Sequence, residues 1–249
     1  MNFAHKLFNK NQKLIRFFEK IMGARIFTTL PIGIDFASDI KYNLKNLKVK
    51  TIFDVGANIG ESENYFSKHF KQANIYCFEP VNNSFNNLTI NLKGKNTSIY
   101  NFGFGEFESI LEIEVYKNPS LSSFNSFNIP IFKNEEKSIE KIEIKTITNF
   151  CKSNNIDRID VLKIDTEGYD LKVLKGAIEL LKNNKISIIQ VEASMNHENT
   201  FHVYFAEFID FLSNFNFEIF AIHDQILDFK AKKSKLRRIN LSFINKNIL

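Results

Sequence analysis

The residues best placed to do chemistry lie in the run Asp54-Val55-Gly56-Ala57-Asn58-Ile59-Gly60, directly after an apolar stretch and directly before a helical pattern. Gly56 and Gly60 let the backbone turn sharply and come close to a ligand. The helix opening near Glu61 leaves unpaired N–H groups beside that turn. Asp54 can accept from an ammonium group, and Glu79 ends the next apolar run, where an acidic residue accepts from a ribose diol. Asn58 within the turn, and Asn101 and Gly103 after the third apolar run, complete the expected cofactor-binding set. A dinucleotide fingerprint needs G-x-G-x-x-G with a pyrophosphate on the helix N-terminus. Here Asn58 replaces the middle glycine, and Glu61 opposes a pyrophosphate but not a zwitterionic amino acid. The pattern favours an adenosyl amino acid, S-adenosyl-L-methionine, over NAD.

A second group of residues is suited to the other reactant. Asp165 and Glu192 each close an apolar run, and His197 follows Glu192 by five positions. Carboxylates that interrupt apolar strands are costly to bury unless they meet a cation or donors. Asp165, Glu192 and His197 are therefore the expected catalytic residues, and Asp165 with Glu192 could instead share a divalent cation. Glu167 reads equally well as a helix cap, because a carboxylate suits the positive end of the helix dipole. Lys163 is expected to point to a sheet face or sheet end, and His223 reads as a cleft residue or as part of a turn with Asp224.

Positioning these groups requires an alternation of strand and helix. Strands are expected at 51–55, 74–79, 98–102, 161–165, 186–192, 217–222 and 239–244, with helices at 61–70, 84–92, 147–154, 168–182 and 201–214. Apolar strands alternating with helices predict a Rossmann-like, doubly wound, mostly parallel seven-stranded sheet of the α/β class. Residues 109–116 and 139–144 alternate apolar with charged and predict a hairpin excursion around a mobile loop at 118–137. Ser122, Ser123 and Phe124 in that loop are expected to touch the acceptor. Residues 3–22 carry apolar residues at helical spacing between basic ones, so 1–48 reads as an N-terminal helical extension and 49–249 as the catalytic domain.

Asp54–Gly60, Phe78-Glu79-Pro80, Lys163-Ile-Asp165-Thr-Glu167-Gly-Tyr169-Asp170 with Val173–Ala177, and Ile189–Glu192 together resemble the FkbM family of methyltransferases over roughly residues 50–223. The resemblance implies S-adenosylmethionine-dependent O-methylation of hydroxyls on sugars or on polyketide or lipid-linked products. One departure stands out: family members often carry an acidic pair after a Thr-Leu before the distinctive block, and this chain has Thr146-Ile147-Thr148-Asn149.

A net charge of +5 and the basic run from Lys230 to Arg238 fit an anionic acceptor, but a solvated face gives the same run. The expected partner is a saccharide or other hydroxyl-bearing acceptor. No nucleic acid is expected because no RNA-binding module accompanies the cofactor half. An RNA methyltransferase and a non-catalytic glycan- or partner-binding module remain the competing classes. Cys77 and Cys151 are too few for a disulfide framework, so a reducing cytoplasm is expected, and Cys77 reads as a small core residue. No apolar run is long enough to span a membrane, which leaves only peripheral membrane contact.

Overall fold

The computed structural model describes residues 14–23, 27, 30–93, 95, 97–116, 137–199, 201–227 and 235–248. Ser122, Ser123 and Phe124 lie outside the described residues, as do residues 118–136 of the expected mobile loop, 3–13 of the N-terminal pattern and 230–234 of the basic run. Helix α1 covers 14–22 and exposes Leu14, Phe17, Phe18, Ile21 and Met22. Helix α2 (Phe36–Asn43) begins at Asp35, whose carboxylate accepts from the Ser38 amide at 2.8 Å and so satisfies one of the helix's free donors.

The main sheet and its helices start with β1 (Thr51–Val55), α3 (Glu61–His69), β2 (Asn74–Phe78), α4 (Asn82–Asn91) and β3 (Thr97–Tyr100). After the excursion come α5 (Ile147–Ser153), β7 (Ile159–Ile164), α6 (Asp170–Lys175), α7 (Ile178–Lys182), β8 (Ile186–Ser194), α8 (Phe205–Ser213), β9 (Phe217–Leu227) and β10 (Leu236–Asn245). The sheet order is β3-β2-β1-β7-β8-β10-β9. Strands β1, β2, β3, β7 and β8 pair in parallel, and β10 runs antiparallel to both of its neighbours. This is the Rossmann-like, mostly parallel seven-stranded sheet that the strand–helix rhythm predicts.

Alternate side chains of each strand enter opposite core layers. Phe53, Phe78 and Leu162 pack with Phe104 and Phe150 on one face, while Ile52, Cys77 and Val161 pack with Phe36, Ile40 and Phe66 on the other. Cys77 is fully buried and unoxidised, as a core residue should be.

The excursion forms a second sheet, ordered β4-β6-β5, from β4 (Gly103–Phe104), β5 (Ser109–Tyr116) and β6 (Lys137–Lys145). Its period-2 alternation turns Ile113, Ile142 and Ile144 inward onto Val81 and leaves Ile110 exposed.

Two departures from the sequence pattern bear on the site. The single helix expected over 168–182 is two helices, because Gly176 lies against the Gly105 carbonyl, where a β-carbon would approach to 2.1 Å. The freed Gly176 carbonyl accepts instead from the Thr148 amide at 3.1 Å and its hydroxyl at 2.9 Å. In addition, α8 begins at Phe205, so residues 201–204 are not the first helical turn expected there; with 195–199 they belong to the connection after β8. Among the described residues no helix is long and apolar enough to cross a membrane.

Candidate active site

The chain order reverses between β1 and β7, and ligands of open α/β sheets bind beyond the strand ends at such a switch point. Gly56, at φ +82°, makes that junction possible: a β-carbon there would lie 1.9 Å from the Asp165 carbonyl oxygen. Asn58 and Gly60 also have positive φ, which carries the turn into α3. The packing explains Gly56 differently from the sequence, since backbone rather than ligand fills the space beside it.

Asp54 is wholly buried, and among the described residues neither carboxylate oxygen has a well-formed hydrogen bond. Its ion-pair partner is Lys163 on β7, whose Nζ lies 3.3 Å from Asp54 Oδ1 and 3.3 Å from Asp165 Oδ2. Burial raises the Asp54 pKa, with Lys163 acting against it. Burial also works to lower the Lys163 pKa, but the two carboxylates outweigh it and raise that pKa. An under-satisfied buried carboxylate beside the glycine turn fits the ammonium of an amino-acid cofactor.

Glu79 is buried beside the same turn. Its Oε2 accepts from the Asn58 amide and its Oε1 from the Val81 amide, both at 2.9 Å. Burial pushes its pKa up to about 7 against those two hydrogen bonds. Each oxygen keeps a second lone pair for a ribose hydroxyl. The exposed Asn101 side chain donates to the Glu79 and Pro80 carbonyls at 3.0 and 3.1 Å, bracing this turn from outside. Gly103 packs against Ile144 of the second sheet. The residues present thus offer an acceptor for an ammonium, an acceptor for a diol and a tight turn between them.

At the ends of β7 and β8 lies a second acidic group. Asp165 is about one-third exposed at its side chain and faces Lys163, whereas Glu192 is nearly buried. Arg238 of β10 holds Glu192 Oε1 at 2.6 Å, so the last residue of the basic run is paired rather than solvated. Glu192 Oε2 lies 3.4 Å from His202 Nδ1, and Glu167 Oε2 lies 3.5 Å from the same nitrogen. Burial, reinforced by Asp165 and Glu192, pushes the Glu167 pKa up to about 8; burial and Asp165 likewise raise that of Glu192. Burial and Arg238 lower the His202 pKa to about 4. The imidazole is therefore neutral near pH 7, and its contacts with the two carboxylates are not ion pairs.

Glu167 has φ +52°; the N-cap of α6 is Tyr169, which makes no side-chain cap hydrogen bond, and the Asp170 carboxylate braces the preceding turn by accepting from the Gly168 amide at 3.0 Å and the Thr166 amide at 3.4 Å. His197, named from the sequence, stands exposed on the loop, its ring 6.1 Å from that of Tyr204. His202 is the histidine the sequence reading missed; Asn199 Oδ1 accepts from the Phe201 and His202 amides and turns the loop inward. Both histidines lie in one polar loop, and spacing alone does not separate them. His223 is buried elsewhere, with Nε2 2.9 Å from Asp39 Oδ2 and Nδ1 3.2 Å from Ser242 Oγ.

A cavity of about 300 Å³ next to the Asp54 turn is lined by Glu61, Tyr65, Lys163, Gln190 and His223. A larger groove of about 940 Å³ runs along the β3 edge beside α5 and touches none of Asp54, Glu79, Asp165 or Glu192. The smaller cavity is not lined by those four carboxylates either; it meets them only through Lys163, which pairs with Asp54 and Asp165.

Comparison with known proteins agrees with this geometry. The chain is 27% identical over 143 residues to "Methyltransferase 1" of Beauveria bassiana, covering 50% of this chain and 57% of that protein. It is 28% identical over 148 residues to the hexuronic acid methyltransferase AglP of Haloferax volcanii, covering 58% of this chain and 57% of that protein. The matches thus span little more than half the length of these relatives. A solved structure, precorrin-6y C5,15-methyltransferase from Geobacter metallireducens GS-15, aligns with a TM-score of 0.45 at 10% identity, over 84% of this chain and 86% of that one. A family model described as "Methyltransferase FkbM domain" matches residues 54–219, well over half of the sequence. The chain therefore belongs to the FkbM methyltransferase family.

Proposed function

We propose that the protein is an O-methyltransferase acting on a hydroxyl of a saccharide or glycan precursor. The observation that carries this reading is the position of Asp165 just after β7 and of Glu192 near the end of β8, across the switch point from Asp54 and Glu79. The cofactor side has its own acidic residues, so the second pair is left for the acceptor. The printed name of the Haloferax relative supports a sugar acid as acceptor class, and Arg238 beside the site suits an anionic one.

The cofactor supplies an electrophilic methyl group on a sulfonium. The protein must hold the acceptor oxygen in line with that methyl and remove the hydroxyl proton. The acceptor oxygen forms the new O–C bond, the C–S bond breaks with its electron pair staying on sulfur, and the proton passes to a carboxylate. Asp165, more exposed than Glu192, is the group assigned to receive it. Glu192, paired with Arg238, completes the acceptor side.

The test is incubation with methyl-labelled S-adenosylmethionine and a panel of uronic-acid glycans, neutral glycans and structured RNA. Base-stable label on a sugar hydroxyl supports the reading. Label on RNA alone, or only on carboxylates as base-labile esters, refutes it.

A further inference from the structure

We infer that Glu167, Glu192 and His202 form a binding site for one divalent transition-metal ion on the acceptor side of the cleft. The three side chains come from three separate elements: the β7–α6 turn, strand β8 and the loop before α8. Their donor atoms, two carboxylate oxygens and His202 Nδ1, all lie within 4.8 Å of one another.

The spacing suits a shared ion better than it suits direct bonding. At 3.4 and 3.5 Å, the two contacts to His202 Nδ1 are long for hydrogen bonds, and one nitrogen has at most one proton to offer. Two donors each about 2.1 Å from a tetrahedral ion stand about 3.4 Å apart. Each carboxylate oxygen thus stands at ligand-pair spacing from Nδ1, and the two oxygens lie within 4.8 Å of each other.

A second observation points to the same place. Glu192 is nine-tenths buried, and its Oε2, sealed from solvent, has no hydrogen-bond partner among the described residues. Arg238 anchors the other oxygen at 2.6 Å and so aims Oε2 at His202. Outer partners of this kind fix ligand orientation in metal sites.

One imidazole with two carboxylates selects zinc, manganese, iron or cobalt over magnesium and calcium, which favour all-oxygen shells. Three protein ligands leave at least one position open, as in catalytic rather than structural sites. An ion there would make a neighbouring hydroxyl more acidic. That role rests on the proposed acceptor site, whereas the binding itself does not. The ligand set differs from the one the sequence suggested: Asp165, turned toward Lys163, is replaced by Glu167 and His202.

The test uses the full chain, stripped with a chelator and titrated with Co²⁺. One equivalent should bind with visible absorption of a four- or five-coordinate ion, and Zn²⁺ should displace it. His202→Ala and Glu167→Gln should weaken binding by more than the roughly 10–100-fold that loss of an outer partner costs. Glu198→Gln on the exposed part of the loop should not change it. Proton NMR of the Co²⁺ form of the unmutated protein should show one shifted imidazole N–H, which needs no folded variant. Absence of stoichiometric binding, absence of that resonance, or equal affinity in a folded His202→Ala overturns the site. Cofactor binding and methyl transfer are measured on the same preparations. Failure to bind Co²⁺ in a preparation that still methylates hydroxyls would sink the metal site and leave the proposed activity standing. Stoichiometric ion binding with no transfer to any hydroxyl would support the site and sink the activity.

Discussion

The backbone carbonyl of Asp165 occupies the space that a side chain on Gly56 would need, at 1.9 Å from an ideal β-carbon. One contact thereby joins the cofactor turn to the strand end that carries the acceptor carboxylate. Gly56→Ala must move backbone and also adopt an unfavourable positive φ, itself worth about 1–3 kcal/mol. Thermal unfolding should show a loss beyond that range, and calorimetry a loss of cofactor binding. Gly103→Ala meets only the tip of Ile144 and should cost much less. Equal costs for the two would remove the junction from the explanation.

Glu79 should make cofactor affinity depend on pH. In the free protein its pKa is about 7, raised by burial. Ribose hydroxyls that donate to it favour the ionised form, so binding lowers that pKa and releases a proton. Affinity should therefore rise as pH goes from below 7 to above it, then level off. Glu79→Gln should abolish the slope, and Glu79→Ala should weaken binding by about 1–3 kcal/mol. Calorimetry at pH 6, 7 and 8 checks this, and a slope unchanged in Glu79→Gln assigns it to another group.

Asp165→Asn and Glu192→Gln separate chemistry from cofactor binding. Both should bind S-adenosylmethionine as the unmutated protein does. Asp165→Asn should turn over about 10²–10⁴-fold more slowly, the usual cost of losing a general base. Full turnover in both variants, followed by transfer of labelled methyl, would exclude these carboxylates from the acceptor site.

The buried Asp39–His223 pair belongs to the scaffold. Asp39 Oδ2 accepts from the Gly33 amide at 2.7 Å and meets His223 Nε2 at 2.9 Å, tying α2 to β9. Asp39→Ala strands both partners, at about 1–3 kcal/mol for each buried group left unsatisfied. The melting temperature should fall by roughly 4–24 °C, since 1 kcal/mol is worth about 2–4 °C at this chain size. A melting temperature within a degree of the unmutated protein's would mean the pair holds nothing together.

The sequence by itself determined the parts of this protein that depend on neighbours along the chain. Strand alternation such as Ile52/Phe53 and Cys77/Phe78 divides the two core layers, because side chains alternate with period two whatever the tertiary context. The turn from Asp54 to Gly60, and Glu79, Asp165 and Glu192 at or near strand ends, could be read for the same reason. What only the tertiary structure decided is which groups from distant segments converge. His202 rather than His197 faces the carboxylates because the Asn199 turn folds that loop inward. Arg238 reaches Glu192 through the antiparallel register of β10 on β8, which sets Arg238 opposite Ser194 and Asn240 opposite Glu192. Glu167 faces the same imidazole from a turn with positive φ. Loop path and cross-strand register are set by packing over the whole sheet, and no local pattern of residue types encodes them.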